Sequence, residues 1–108
     1  MASDKYLKYM DGVKKYAAGA TDLQVQKIVA YCGIALQSRD ASLVSCSDQT
    51  ELDRVRKGWC TKKLNLSAAD ADAAIVKTCE AMKDDRQKSR VTFYYLVAEA
   101  SGTLGKLA

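Results

Sequence analysis

The chain has 108 residues, with 17 lysines and arginines against 13 aspartates and glutamates, and neither histidine nor proline. Its 48% apolar and 28% charged residues exclude a disordered tail, and its length suits one hydrophobic core rather than two. The absence of histidine removes the usual catalytic imidazole and the commonest metal ligand, while a net charge of +4 is too modest to name a polyanionic partner.

The pattern reads as an all-α, compact single-domain bundle over residues 1–108, with about five helices near 4–18, 22–38, 48–63, 68–85 and 90–101. The first places Tyr6, Met10, Val13 and Ala17 on one face, with Ser3 as its cap and Gly19 as its stop. The second opens on Thr21-Asp22-Leu23-Gln24, a capping box, and continues as an apolar stripe of Val25, Ile28, Val29, Cys32 and Leu36. Gly33 inside that stripe suggests close approach by another helix, or simple tolerance.

Between helices two and three lies a long ordered connection, Leu36 through Asp48, polar and rich in hydroxyls. Connections of this length tend to be either functional or disordered, so specificity is expected to sit here. Ser47 and Asp48 then supply a cap, Glu51 an acidic first turn, and Leu52, Val55 and Trp59 the buried seam of helix three. Asn65 suits a left-handed stop, and Ser67 with Asp70 restarts the chain as helix four, which carries Ile75, Cys79 and Met82. A charged run from Lys83 to Arg90 leads into Val91-Thr92-Phe93-Tyr94-Tyr95-Leu96-Val97-Ala98. That segment is apolar on nearly every side, so it reads as a central helix in preference to a strand, with Gly102 and Gly105 at its end. Continuity between helices four and five stays open, and core packing is the expectation for Tyr94 and Tyr95.

Cys32, Cys46, Cys60 and Cys79 allow two disulfides by count, but their wide spacing, with a charged amino terminus in place of an apolar leader, favours free thiols in a cytoplasmic protein. No run approaches the roughly 20 apolar residues that cross a bilayer, so no membrane partner is expected. No Cys-x-x-Cys pair is present, and neither a metal nor a cofactor is expected.

Three functional readings compete. Cys46 near the start of helix three is a candidate nucleophile or redox-responsive thiol, but no imidazole is available to activate it, so no catalytic residues are assigned. Arg54, Arg56, Lys57, Lys62 and Lys63 form a candidate nucleic-acid surface, disfavoured because the preceding connection is far longer than a helix-turn-helix allows. The preferred reading is a structural or protein-interaction module whose surface comprises Ser38, Arg39, Asp40, Ser42, Ser45, Cys46 and Ser47, facing a protein partner or a small anion. Those hydroxyls also satisfy turn backbone routinely. Arg86 and Arg90 are candidate partners for Asp40 or Asp48, and a monomer or weak homodimer is expected.

The segments Leu43-Val44-Ser45-Cys46-Ser47-Asp48, Glu51-Leu52-Asp53-Arg54-Val55-Arg56, Lys62-Lys63-Leu64 and Arg90-Val91-Thr92-Phe93-Tyr94-Tyr95-Leu96 resemble a small bacterial family catalogued as domain of unknown function 2853. The resemblance covers nearly the whole chain. It implies an all-helical fold and no established activity, so it lends no catalytic residues. Asn65 stands where the family leads one to expect glycine, which leaves the turn intact.

Overall fold

Local capping chemistry sets most of the helix starts. In a computed structural model, which describes residues 6–33, 36 and 42–107, helix α1 (Leu7–Tyr16) buries Met10 and Val13, with Ala17 buried just beyond its end. The expected cap Ser3 lies outside the described residues. Helix α2 (Asp22–Cys32) starts on the full capping box: the Gln24 amide donates to Thr21 Oγ1 at 3.2 Å and the Thr21 amide donates to Gln24 Oε1 at 3.1 Å.

Helix α2 stops at Cys32, six residues short of the expected end, because Gly33 takes φ +51° and ψ −120°, a backbone conformation that side chains disfavour. No heavy atom lies within 4 Å of the position its Cβ would occupy. The glycine therefore serves the helix end, and the expectation of a close helix contact there is corrected.

Strand β1 (Leu43–Val44) pairs antiparallel with strand β2 (Lys88–Ser89), Leu43 facing Ser89 and Val44 facing Lys88. The Arg90 amide extends the pairing by donating to the Ser42 carbonyl at 2.8 Å. Strands of two residues carry no readable alternation, so nothing in the sequence announced this ladder. It ties the central connection to the segment that precedes the last helix.

Helix α3 (Gln49–Arg54) begins at Asp48, whose carboxylate accepts from the Thr50 and Glu51 amides at 3.0 and 3.4 Å. The winding then widens into a nine-residue π-helical segment (Val55–Lys63). The burial pattern explains why. Val55, Trp59, Cys60 and Leu64 are all 0% exposed. At about 100 degrees per residue, Val55 and Leu64 would lie on opposite faces of an α-helix. The wider i to i+5 winding takes more residues per turn and brings all four toward one face. Leu64 closes the segment by donating to the Trp59 carbonyl at 2.9 Å.

Asn65 then adopts φ +57°, the expected left-handed stop. Ser67 Oγ accepts from the Asp70 amide at 3.2 Å to start helix α4 (Ala68–Ala81), which buries Ala71, Ala74, Ile75 and Thr78. It ends four residues before the expected boundary, and the intervening turn and β2 make α4 and α5 separate helices. Helix α5 (Arg90–Ala100) is buried at every position from Arg90 to Ala98 and packs against α1, α2, α4 and the π-helical segment, as its all-round apolarity requires. A final 3-10 turn (Leu104–Leu107) follows, with Lys106 Nζ donating to the Leu64 carbonyl at 2.6 Å.

Among the described residues the protein is all-α apart from one pair of two-residue strands. Its radius of gyration, 12.5 Å, is that of a compactly folded chain of this length, about 13 Å. At the centre Trp59 stacks on Tyr94 with ring centroids 4.8 Å apart, meets Tyr31 at 4.9 Å, and donates its indole N–H to the Tyr94 carbonyl at 3.0 Å. Tyr94 and Tyr95 are both buried, in keeping with the core reading.

Candidate functional site

One buried arginine positions the described part of the central connection. Arg90, 7% exposed, donates through Nη1 to Tyr94 Oη at 2.9 Å and through Nη2 to the Leu43 carbonyl at 3.4 Å, and it pairs with the Glu51 carboxylate. Burial works against its charge, but Tyr94 and Glu51 outweigh that effect and raise its pKa. Glu51 is a partner that the sequence, which pointed to Asp48 or Asp40, did not name. Asp48 is committed to the cap of α3, and Asp40 lies outside the described residues. That cap has a second consequence. The amides at the start of α3 already hold the Asp48 carboxylate, so the expected contribution of this helix end to anion binding is corrected.

With the connection pinned by Arg90 and the β1–β2 ladder, Cys46 reaches α4 and forms a disulfide with Cys79, Cα to Cα 5.9 Å, across 33 residues of sequence. This overturns the expectation of free thiols at both positions. Spacing along the chain could not reveal a pairing created by folding. Cys46 is not a free nucleophile here. The remaining thiols are Cys60, buried, and Cys32, half-buried. Burial pushes the Cys32 thiol up to about 12, against the pull of Arg90, and the Cys60 thiol up to about 11, against the pull of Arg56. Both are neutral at physiological pH and poor nucleophiles.

Around the disulfide opens a concavity of about 610 Å³, lined by Leu43, Val44, Ser45, Cys46, Ser47, Cys79, Lys83, Arg86 and Lys88. Its charged lining residues are all cations, contributed by the turn between α4 and β2 and by β2 itself. Lys88 Nζ donates to the Asp85 carbonyl at 2.8 Å, and Lys83 meets Glu80 at 3.2 Å with both side chains largely exposed. Arg86 is exposed and has no hydrogen-bond or ion-pair partner among the described residues. Ser45 Oγ and Ser47 Oγ lie 3.1 Å apart across the rim. Chemically, the arrangement offers a guanidinium fork, two ammonium groups and two hydroxyls to a negatively charged group.

The structure thus brings Ser45, Cys46 and Ser47 together on one wall, as the sequence reading grouped them. Ser42 instead serves the ladder through its carbonyl, and Ser38, Arg39 and Asp40 lie outside the described residues. Sequence reasoning missed Lys83, Arg86 and Lys88 as members of the same site. The one available signal was their clustering in a charged run between helices, which reads equally well as solvated turn.

The basic cluster of the third helix is differently arranged. Arg56 turns toward two aspartates, Nη2 at 2.9 Å from Asp53 and Nε at 2.7 Å from Asp72, the latter an ion contact without hydrogen-bond alignment. Arg54 stands 3.9 Å from Glu51 and is 74% exposed, while Lys57, Lys62 and Lys63 are exposed. A second shallow concavity of about 720 Å³ runs along the outer face of α4, where Val76 is 68% exposed, but its walls are mostly apolar and carry both signs of charge. Among the described residues no cluster of three or more histidines, cysteines or carboxylates could hold a metal ion, and no helix is long and apolar enough to cross a membrane.

A family model described as "Protein of unknown function (DUF2853)" matches residues 8–105. No curated protein matches the chain.

Proposed function

Because this chain belongs to the DUF2853 family of unknown function, its role has to be read from its own surface, and we propose that it is a non-enzymatic interaction module that recognises an anionic group. The carrying observation is the concavity in which Lys83, Arg86 and Lys88 converge beside Ser45 and Ser47 with no carboxylate in the lining. Three cations in one lining, of which only Lys83 meets a described carboxylate, Glu80 outside it, raise the local potential and attract a phosphate or carboxylate, and Arg86 can grip either with two parallel hydrogen bonds. The group is a free small anion or an anionic side chain on a protein partner. The protein acts in the cytoplasm as a monomer or weak homodimer, where reducing thiols have access to the Cys46–Cys79 bond.

Titrating isotopically labelled protein with inorganic phosphate at low salt tests this. Amide shifts concentrated at residues 45–47 and 83–88, saturable and abolished in Lys83→Gln/Arg86→Gln/Lys88→Gln, are the expected result. Shifts that are absent, or that persist in this variant, would overturn the proposal. Salt-sensitive retardation of DNA or RNA that depends on Arg54, Lys57, Lys62 and Lys63 would move the function to the third helix.

A further inference from the structure

The Cys46–Cys79 disulfide lies in the wall of the concavity, and the charged residues that share that wall are all cations. We propose that this bond is a thiol–disulfide exchange site selective for small thiols that carry a carboxylate, an inference that rests on the basic character of the concavity. Both sulfur-bearing residues line the opening and neither is fully buried, so an attacking thiolate has access to the bond. Cys32 and Cys60 do not line it.

The chemistry balances with two equivalents of the thiol. The thiolate of the first forms a new bond to one cysteine sulfur as the Cys46–Cys79 bond breaks, and the electron pair leaves on the other sulfur as a thiolate, which takes a proton from solvent. A second thiolate attacks the external sulfur of the mixed disulfide and releases a small symmetric disulfide. The protein gains two electrons and two protons and ends with two thiols, while two small thiols are oxidised to one disulfide. The protein's contribution is electrostatic. Lys83, Arg86 and Lys88 concentrate an anionic reactant at the bond and stabilise the departing thiolate. The connection bearing Cys46 remains held by β1–β2 pairing and by Arg90, so the opened thiols stay close and the bond can form again.

The test exposes oxidised full-length protein to mercaptoacetate, 2-mercaptoethanol or cysteamine, which are anionic, neutral and cationic thiols respectively. Freed cysteines are trapped by alkylation and counted by mass spectrometry. Each rate is divided by that thiol's rate with a small neutral disulfide, which removes intrinsic reactivity. The expected order is anionic above neutral above cationic, with a spread on the order of tenfold at low ionic strength. That spread should collapse near ~0.5 M salt and in Lys83→Gln/Arg86→Gln/Lys88→Gln. Equal normalised rates in low salt, or an order that survives both high salt and the triple substitution, would overturn the inference. The salt arm uses the unaltered protein, so it stands even if the variant folds poorly. Phosphate binding without a charge order sinks this inference alone, whereas a charge order without phosphate binding sinks only the recognition reading.

Discussion

Arg90 joins three parts of the chain through one side chain: Glu51 on α3, the Leu43 carbonyl on β1 and Tyr94 on its own helix. A guanidinium so deeply buried is tolerable because groups such as these receive it, and removing it leaves the Glu51 carboxylate, 14% exposed, with the distant and largely exposed Arg54 as its remaining described counter-charge. Arg90→Ala should therefore cost about 3–5 kcal/mol of folding stability, read as a lowered midpoint in urea unfolding. Glu51→Gln should cost less, since the amide oxygen still accepts. The sequence placed Arg90 correctly beside the connection but did not name Glu51 among its acids; Asp48 is taken by the cap, and Asp40 lies outside the described residues. Several carboxylates lay within plausible reach, and the choice depended on Asp48 being consumed as a cap.

Helix ends governed by neighbouring residues were legible, and shapes governed by distant ones were not. The Thr21–Gln24 box, the Asn65 stop and the Ser67 cap act over three or four positions, so their residue types suffice. The π-helical segment answers instead to the core, which demands Val55, Trp59, Cys60 and Leu64 on one face, a requirement no α-helical template reveals. The ladder between β1 and β2 and the Cys46–Cys79 bond likewise join segments that are remote in sequence. So half of the candidate site, the wall from Ser45 to Ser47, was visible in the chain, and its cationic half became visible only once the fold placed it. Gly33 falls between these cases, noticed in the sequence but read as close packing or mere tolerance. Its open surroundings give a clean check: Gly33→Ala meets no atom, so any loss is backbone strain, expected at about 2 kcal/mol in denaturant unfolding. No change in stability would restore the reading of a merely tolerated glycine.

Helix α5 organises the molecule by packing against α1, α2, α4 and the π-helical segment. The disulfide adds a covalent link to that arrangement, closing a loop of sequence separation 33 that includes α3, the π-helical segment and most of α4. By restricting the unfolded chain, a loop of that size contributes about 3–4 kcal/mol. Cys46→Ser/Cys79→Ser should lose about that much in chemical unfolding under non-reducing conditions. Its denaturant sensitivity should also rise, because the unlinked chain unfolds into a more open state. An unchanged midpoint would show that the bond contributes nothing to holding the fold. The same closure has a mechanical consequence. When the unfolded chain is pulled at its two termini, the load passes through the sulfur bridge and bypasses residues 47–78, so α3, the π-helical segment and most of α4 carry none of the force. Reduction would add residues 47–78 to the load path and lengthen the fully stretched chain by about 110 Å, which makes this small protein's extensibility a function of its redox state.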